Sequence, residues 1–214
     1  MNDYDAYLFD WDGTLARTVE IWLSEIAKQY AIYGLTISDA ENARLFGNLK
    51  APLAYGLPQE KLSEFQEGIN TAVKDRLPDV PLYDDAHAML HGLKRQGKKL
   101  ALVTTSLRTN LDLVMGKHGV ESLFDIIITS EDVKKHKPDP ESIELALERL
   151  KVAKHRALML GDTTHDLLAA QNAGIASALF YPEAHSLIHD LDFLQSHNPT
   201  HTIRAWRELI DQLQ

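Results

Sequence analysis

The sequence predicts an α/β fold, a doubly wound parallel sheet with an α-helical cap inserted into it, on two observations. Short apolar runs alternate with stretches of helical periodicity through most of the chain, the rhythm of parallel strands covered on both faces by crossover helices. The rhythm breaks once, directly after the first run, where a long segment reads as helices alone.

The first strand is expected at residues 6–9, and the Asp12-Gly13 pair just after it is turn chemistry. Helical patterns follow near residues 19–33, 38–45 and 59–76, punctuated by Gly34, Pro52, Gly56 and Pro58, with Pro78 and Pro81 marking the return. The expected cap therefore spans residues 18–81, and residues 1–17 and 82–214 form the core. Further apolar runs at 100–103, 126–128, 157–160 and 176–180 supply the remaining strands. Helices at 84–95, 109–118, 140–150 and 165–173 are expected around them, and the tail from Ile203 to Leu213 reads as a closing amphipathic helix.

Composition narrows the function. With 214 residues, 44% of them hydrophobic and 25% charged, the chain can bury a substantial core. The absence of cysteine removes disulfides, thiolate zinc sites and thiol nucleophiles, and fits a reducing compartment. The Asn2-Asp3-Tyr4-Asp5 start lacks the basic and apolar regions of a secretion signal, and no apolar run is long enough to span a membrane. The cytoplasm is the expected location. A net charge of -9, with no Lys/Arg cluster beside an aromatic platform, argues against a nucleic-acid polymer as partner.

Polar residues of different kinds stand at the ends of the apolar runs. Asp10 and Asp12 lie two residues apart in extended chain, so both carboxylates face one small volume. They repel there unless a cation or a proton joins them. The second run ends in Thr104-Thr105-Ser106, hydroxyls that suit an anion together with nearby backbone N–H groups. In Lys137-Pro138-Asp139-Pro140, Asp139 can cap a helix starting at Pro140, leaving Lys137 just outside it as a fixed positive charge. Gly161-Asp162-Thr163-Thr164-His165-Asp166 puts one carboxylate at a strand end and another about one helical turn later. Each feature alone reads first as structural: a turn, a strand end or a cap. Their succession at strand ends, where such sheets bind ligands, points to a reaction centre.

These motifs in this order, with Ala169, Ala170, Ala173 and Gly174 after the last, resemble those of the haloacid dehalogenase-like superfamily over nearly the whole chain. The insertion after the first motif is similar to the small cap of its phosphoglycolate phosphatase and β-phosphoglucomutase branch. The resemblance implies a Rossmann-like core and a phosphatase for a small phosphorylated metabolite, working as a monomer or homodimer. Asp10 would attack phosphorus and become an aspartyl phosphate, while Asp12 would protonate the leaving oxygen and later take a proton from water. The implied cofactor is Mg²⁺, held by Asp10, Asp162 and the backbone carbonyl of Asp12, with Asp166 at the same site orienting Lys137 or a water. Thr104, Thr105 and Lys137 would bind the phosphoryl oxygens, with the Gly13 turn beside them. A mutase-like phosphotransferase is the alternative. A phospho-acceptor signalling domain is a more distant one, being shorter and capless.

Some residues depart from the branch pattern or lie outside the motifs. Arg17 stands where relatives often carry an acid, and suits either an anionic leaving group or a pairing with Glu20. Trp22 stands where the mutases carry a cap histidine, which favours hydrolysis. Asp12 favours phosphorus over carbon, since displacement of halide needs no protonated leaving group. Gly47 and Asn48, with Arg44 and Lys50 nearby, are candidates for a substrate-specificity loop. His185 and His189 are helically spaced, but no carboxylate motif of a zinc enzyme accompanies them, so they read as surface histidines. His165 is expected to face solvent.

Overall fold

The strand β1 (Ala6–Phe9) is buried on both faces and runs parallel between β2 (Lys99–Val103) and β4 (Ala157–Gly161). In the computed structural model, which describes residues 4–45 and 48–212, β3 (Ile126–Ile128) flanks β2, and β5 (Ala176–Phe180) and β6 (His201–Ile203) follow β4. The order is β3-β2-β1-β4-β5-β6, and every pairing is parallel. Such an order reverses beside β1, and the crevice at the carboxyl ends of the strands there is the general ligand position of doubly wound sheets.

The helices α5 (Ala86–Arg95), α6 (Arg108–His118), α7 (Glu141–Leu150) and α8 (Thr164–Ala173) connect the strands, and α9 (Leu191–Gln195) and α10 (Trp206–Asp211) close the chain. One face of the sheet packs Leu8, Val103 and Met159 against Ile143 and Leu147 of α7 and Ala169 and Ala170 of α8. The small side chains of α8 let it approach the strands closely. The other face packs Tyr7, Phe9, Leu102 and Leu160 against Met89, Leu90 and Leu93 of α5 and Trp206 of α10. Among the described residues, no helix is long and apolar enough to cross a membrane.

The chain departs from the expected elements at its tail. Ile203 ends the edge strand β6, and the closing helix begins only at Trp206. Three residues with a single fully buried side chain show no alternation for a sequence pattern to catch.

Between β1 and β2 the chain forms α1 (Thr18–Ile32), α2 (Asp39–Arg44), α3 (Ala51–Ala54) and α4 (Leu62–Arg76). Tyr30 of α1 and Phe65 of α4 meet edge to face at 5.3 Å, and Ile69 and Val73 continue the apolar seam of α4. Ser38 caps α2 in a reciprocal box with Glu41. The segment leaves and rejoins the core at one place: the Arg17 N–H donates to Pro81 O at 3.0 Å and the Tyr83 N–H to Leu15 O at 2.9 Å.

Candidate active site

Asp10 directly follows β1, Thr104 directly follows β2, and Asp162 directly follows β4, so three neighbouring strands deliver their terminal side chains to one end of the sheet. Asp166 comes from the first turn of α8, and Lys137 from the loop before α7. The Lys137 Nζ lies 2.7 Å from Asp10 Oδ1, 2.6 Å from Asp166 Oδ1 and 3.1 Å from Val103 O. All of its hydrogens thus have acceptors. The second oxygen of Asp166 accepts from the Thr163 N–H at 3.1 Å and the Thr163 hydroxyl at 2.8 Å, closing a capping box at the start of α8.

Burial dominates the electrostatics. It pushes the Asp10 carboxyl well above the usual carboxylate range; Lys137 opposes the shift, while Asp166, Asp162 and Asp12 add to it. Burial also raises Asp162, again reinforced by Asp166 and opposed by His189 and Thr14. Lys137 is raised despite the burial that disfavours its charge, because Asp10 and Asp166 outweigh that cost. The ammonium is locked in its charged form. One ammonium among four carboxylates leaves the site strongly acidic, an environment that favours a hard cation.

Two glycines are required by this crowding. Gly13 has φ +75°, and a Cβ there would fall 2.4 Å from Asp162 Oδ2. At Gly161 a Cβ would lie 2.2 Å from Asp166 Cγ. Thr14 fixes Asp162 from below, donating its hydroxyl to Oδ1 at 3.0 Å. Asp12 is less buried, and the Ser106 hydroxyl donates to its Oδ2. The Ser106 N–H in turn donates to Thr104 Oγ1 at 3.0 Å.

A cavity of about 460 Å³ opens onto Asp10, Asp12, Lys137 and Asp162, with Thr105 on its wall and Thr18 and Trp22 of α1 facing them. A second cavity of about 320 Å³ shares Asp12, Thr18 and Trp22 and continues between Asn70 and Lys74 of α4 and Asn110 of α6. These last three residues carry no motif, and the motif residues Ser106 and Thr14 gain their roles only from partners far away in sequence. They are ordinary helix-surface or hydroxyl residues until the fold brings them together.

The remaining candidates are placed as follows. His165 is exposed, at the mouth of the first cavity. Arg17 lies with its guanidinium 4.8 Å over the Tyr83 ring, pairs with Asp84 at 3.4 Å and Glu20 at 3.9 Å, and lines a separate depression. Asn48 lines a small apolar cavity inside the helical segment. Gly47 lies outside the described residues.

His185 and His189 overturn their reading as surface histidines. His185 is 0% exposed, with His189 partly buried beside it, and both rings turn toward Asp162. A 3-10 helix at Glu183–Leu187 after β5 folds their segment back over the strand ends. Burial, with His189 and Arg17, pushes the His185 imidazole down to about 3, so it is neutral at ordinary pH.

Among the described residues, Asp10, Asp162 and Asp166 each offer an oxygen within 4.8 Å of the others. Asp162 Oδ2 is buried with no hydrogen-bond partner. An orphaned carboxylate oxygen within an all-oxygen donor set fits a divalent cation such as Mg²⁺.

The family model for haloacid dehalogenase-like hydrolases matches residues 7–180. A protein named pyrophosphatase PpaX from Bacillus velezensis is 35% identical over 179 residues, 81% of this chain and 81% of that one. A pyrophosphatase PpaX from Halalkalibacterium halodurans is 29% identical over 98% of this chain and 96% of that one. The crystal structure of a HAD family hydrolase from Deinococcus radiodurans, with bound phosphate and sodium, superposes with a TM-score of 0.85 over 97% of this chain and 93% of that one at 22% identity. With its strand-end acids, its sheet order and these likenesses taken together, the chain belongs to the haloacid dehalogenase-like hydrolases and is an enzyme of that hydrolytic class.

Proposed function

We propose that this enzyme is a Mg²⁺-dependent phosphatase that hydrolyses a small phosphorylated compound through an aspartyl phosphate on Asp10, with inorganic pyrophosphate heading the candidate substrates. The observation that carries this reading is the buried Asp10–Lys137–Asp166 network at the crevice of the sheet. Lys137 holds Asp10 Oδ1, which leaves Oδ2 as the oxygen that attacks phosphorus in the cavity Asp10 lines. The displacement splits one hard step into two: the phosphoryl group moves to Asp10, and water then cleaves the acyl phosphate.

Asp12, held by Ser106, protonates the leaving oxygen in the first step and accepts a proton from water in the second. Lys137 and the Thr104–Thr105 turn bind phosphoryl oxygens as charge redistributes. Asp166 fixes the direction of the Lys137 ammonium. Asp10, Asp162 and the backbone carbonyl of Asp12 would hold Mg²⁺, which screens the phosphoryl charge from the attacking carboxylate. Helices α1 and α4 act as a cap over the crevice; the pairing of Arg17 with Pro81 and of Leu15 with Tyr83 is its hinge. Lys74 and the two asparagines of the second cavity supply polar contacts for a small anionic leaving group, which favours pyrophosphate or a phosphorylated acid over a bulky apolar ester. The relatives named pyrophosphatase point the same way.

The test is phosphate release from pyrophosphate, phosphoglycolate, sugar phosphates and nucleoside monophosphates in Mg²⁺, beside an EDTA control and the Asp10→Asn variant. Release that depends on the metal and disappears in the variant is expected. Turnover retained by a folded Asp10→Asn protein would refute the mechanism.

A further inference from the structure

Asp162 belongs to two groups of side chains, of which the proposed Mg²⁺ site uses only one. The second is Asp162, His185 and His189, whose ligand atoms lie within 4.8 Å of one another. Asp162 Oδ2, His185 Nδ1 and His189 Nε2 are all buried and make no hydrogen bond of good geometry; the nearest approach among them is the long 3.5 Å contact of His189 Nε2 with Asp162 Oδ2. Three buried polar atoms converging on one point with only this long contact between them are costly in a folded interior unless something joins them.

The tautomer of His185 is fixed by its other face. Its Nε2 lies 2.8 Å from the Tyr83 hydroxyl, which lies 3.2 Å from Glu20 Oε1. The phenol has one proton, and the carboxylate can only accept it, so His185 Nε2 must donate to the Tyr83 oxygen. Nδ1 is then a bare lone pair aimed at the Asp162 oxygen 3.9 Å away. Two lone pairs facing each other repel, and the gap is too long for a hydrogen bond. A metal-binding histidine is held in the same way, its second nitrogen donating to a fixed acceptor.

The spacing also fits a cation. Ligands about 2.0–2.2 Å from a tetrahedral ion stand roughly 3.3–3.6 Å from each other. The His189 Nε2 to Asp162 Oδ2 distance is 3.5 Å, and the His185 Nδ1 to Asp162 Oδ2 distance of 3.9 Å is a few tenths of an ångström beyond that span. Neutral imidazole with one carboxylate suits a first-row transition ion rather than Mg²⁺. Gly13 keeps space open beside Asp162 Oδ2, since a Cβ there would lie 2.4 Å from it. Asp162 and His189 both line the cavity, so a fourth coordination position faces solvent or substrate.

We propose that Asp162, His185 and His189 form a second cation site, for a transition ion of the Zn²⁺ type, sharing Asp162 with the carboxylate site and open to the active-site cavity. The site stands independently of the phosphatase reading, because its test needs no turnover. The full chain, stripped with EDTA and kept in millimolar Mg²⁺ to fill the carboxylate site, is titrated with Co²⁺ as a visible probe. A single Co²⁺ per chain with the intense visible absorption of a low-coordinate nitrogen site is expected. His189→Gln should weaken binding by about ten-fold or more and His185→Gln should abolish the band, whereas Asp10→Asn should retain it. If the buried His185→Gln variant fails to fold, His189→Gln, on a partly exposed residue, still decides the matter. Co²⁺ binding unchanged in His189→Gln, lost equally in Asp10→Asn, or absent once Mg²⁺ is present would overturn the site.

Discussion

Ser106 and Asp12 show how one hydroxyl sets the work of a neighbouring acid. In the proposed mechanism Asp12 carries a proton in one step and takes one in the next, so its carboxyl has to be aimed at the leaving oxygen, and the Ser106 hydroxyl that donates to its Oδ2 is placed to aim it. Asp12→Asn is expected to lose about 10²–10⁴-fold in kcat, the usual worth of general acid–base catalysis. Ser106→Ala keeps the acid and loses only its orientation, so a smaller loss in kcat at nearly unchanged KM is expected from steady-state kinetics. The position of Asp12 at the crevice was legible from the motif. Ser106 was visible only as a hydroxyl near a strand end, because its partner is 94 residues away in sequence.

At the scale of elements, α1 and α4 are joined by Glu25, which is 6% exposed, accepts from Arg76 of α4 at 2.5 Å and from Lys28 at 2.7 Å. Burial alone would raise its carboxyl, but Lys28 and Arg76 outweigh it and hold the group below the usual value of 4.5. A carboxyl lowered in the folded state adds stability that is fully present above 4.5 and is lost as pH falls through the lowered value. Glu25→Gln is therefore expected to cost about 1–2 kcal/mol at neutral pH, as hydrogen bonds to charged groups do. Thermal melts from about pH 7 to pH 3.5 should show the gap between variant and wild type closing at the acid end, a range set by the group's own titration. The helices themselves were legible as helical patterns between the Gly and Pro breaks, except α3, whose four residues around Pro52 are too few for periodicity. Their pairing through Glu25 was not, since an acid on a helix reads as solvated.

Over the whole molecule, the C-terminal helix locks the sheet. Trp206 of α10 is 0% exposed, stacks on Phe180 of β5 at 4.3 Å and meets Phe9 of β1 edge to face at 5.7 Å. The last helix thus packs beneath the very strand that carries Asp10. Trp206→Ala is expected to cost about 3–5 kcal/mol, measured by denaturant unfolding, because the cavity left between helix and sheet cannot collapse. Metal binding at the carboxyl ends of the strands should offset part of that loss by mass action.

The sequence by itself determined the parallel sheet, the place of the helical insertion and the acids, lysine and threonines at the strand ends. Each of these is written locally, as an apolar run, a turn or a cap within a few residues. Only the tertiary structure decided what meets across the chain. His185 and His189 carry no local sign of burial, yet the fold after β5 brings them onto Asp162. The edge strand β6 exists because β5 offers it backbone partners rather than because its own three residues favour a strand. Pairing between distant residues depends on packing and burial, and neither is encoded in the period of a short segment.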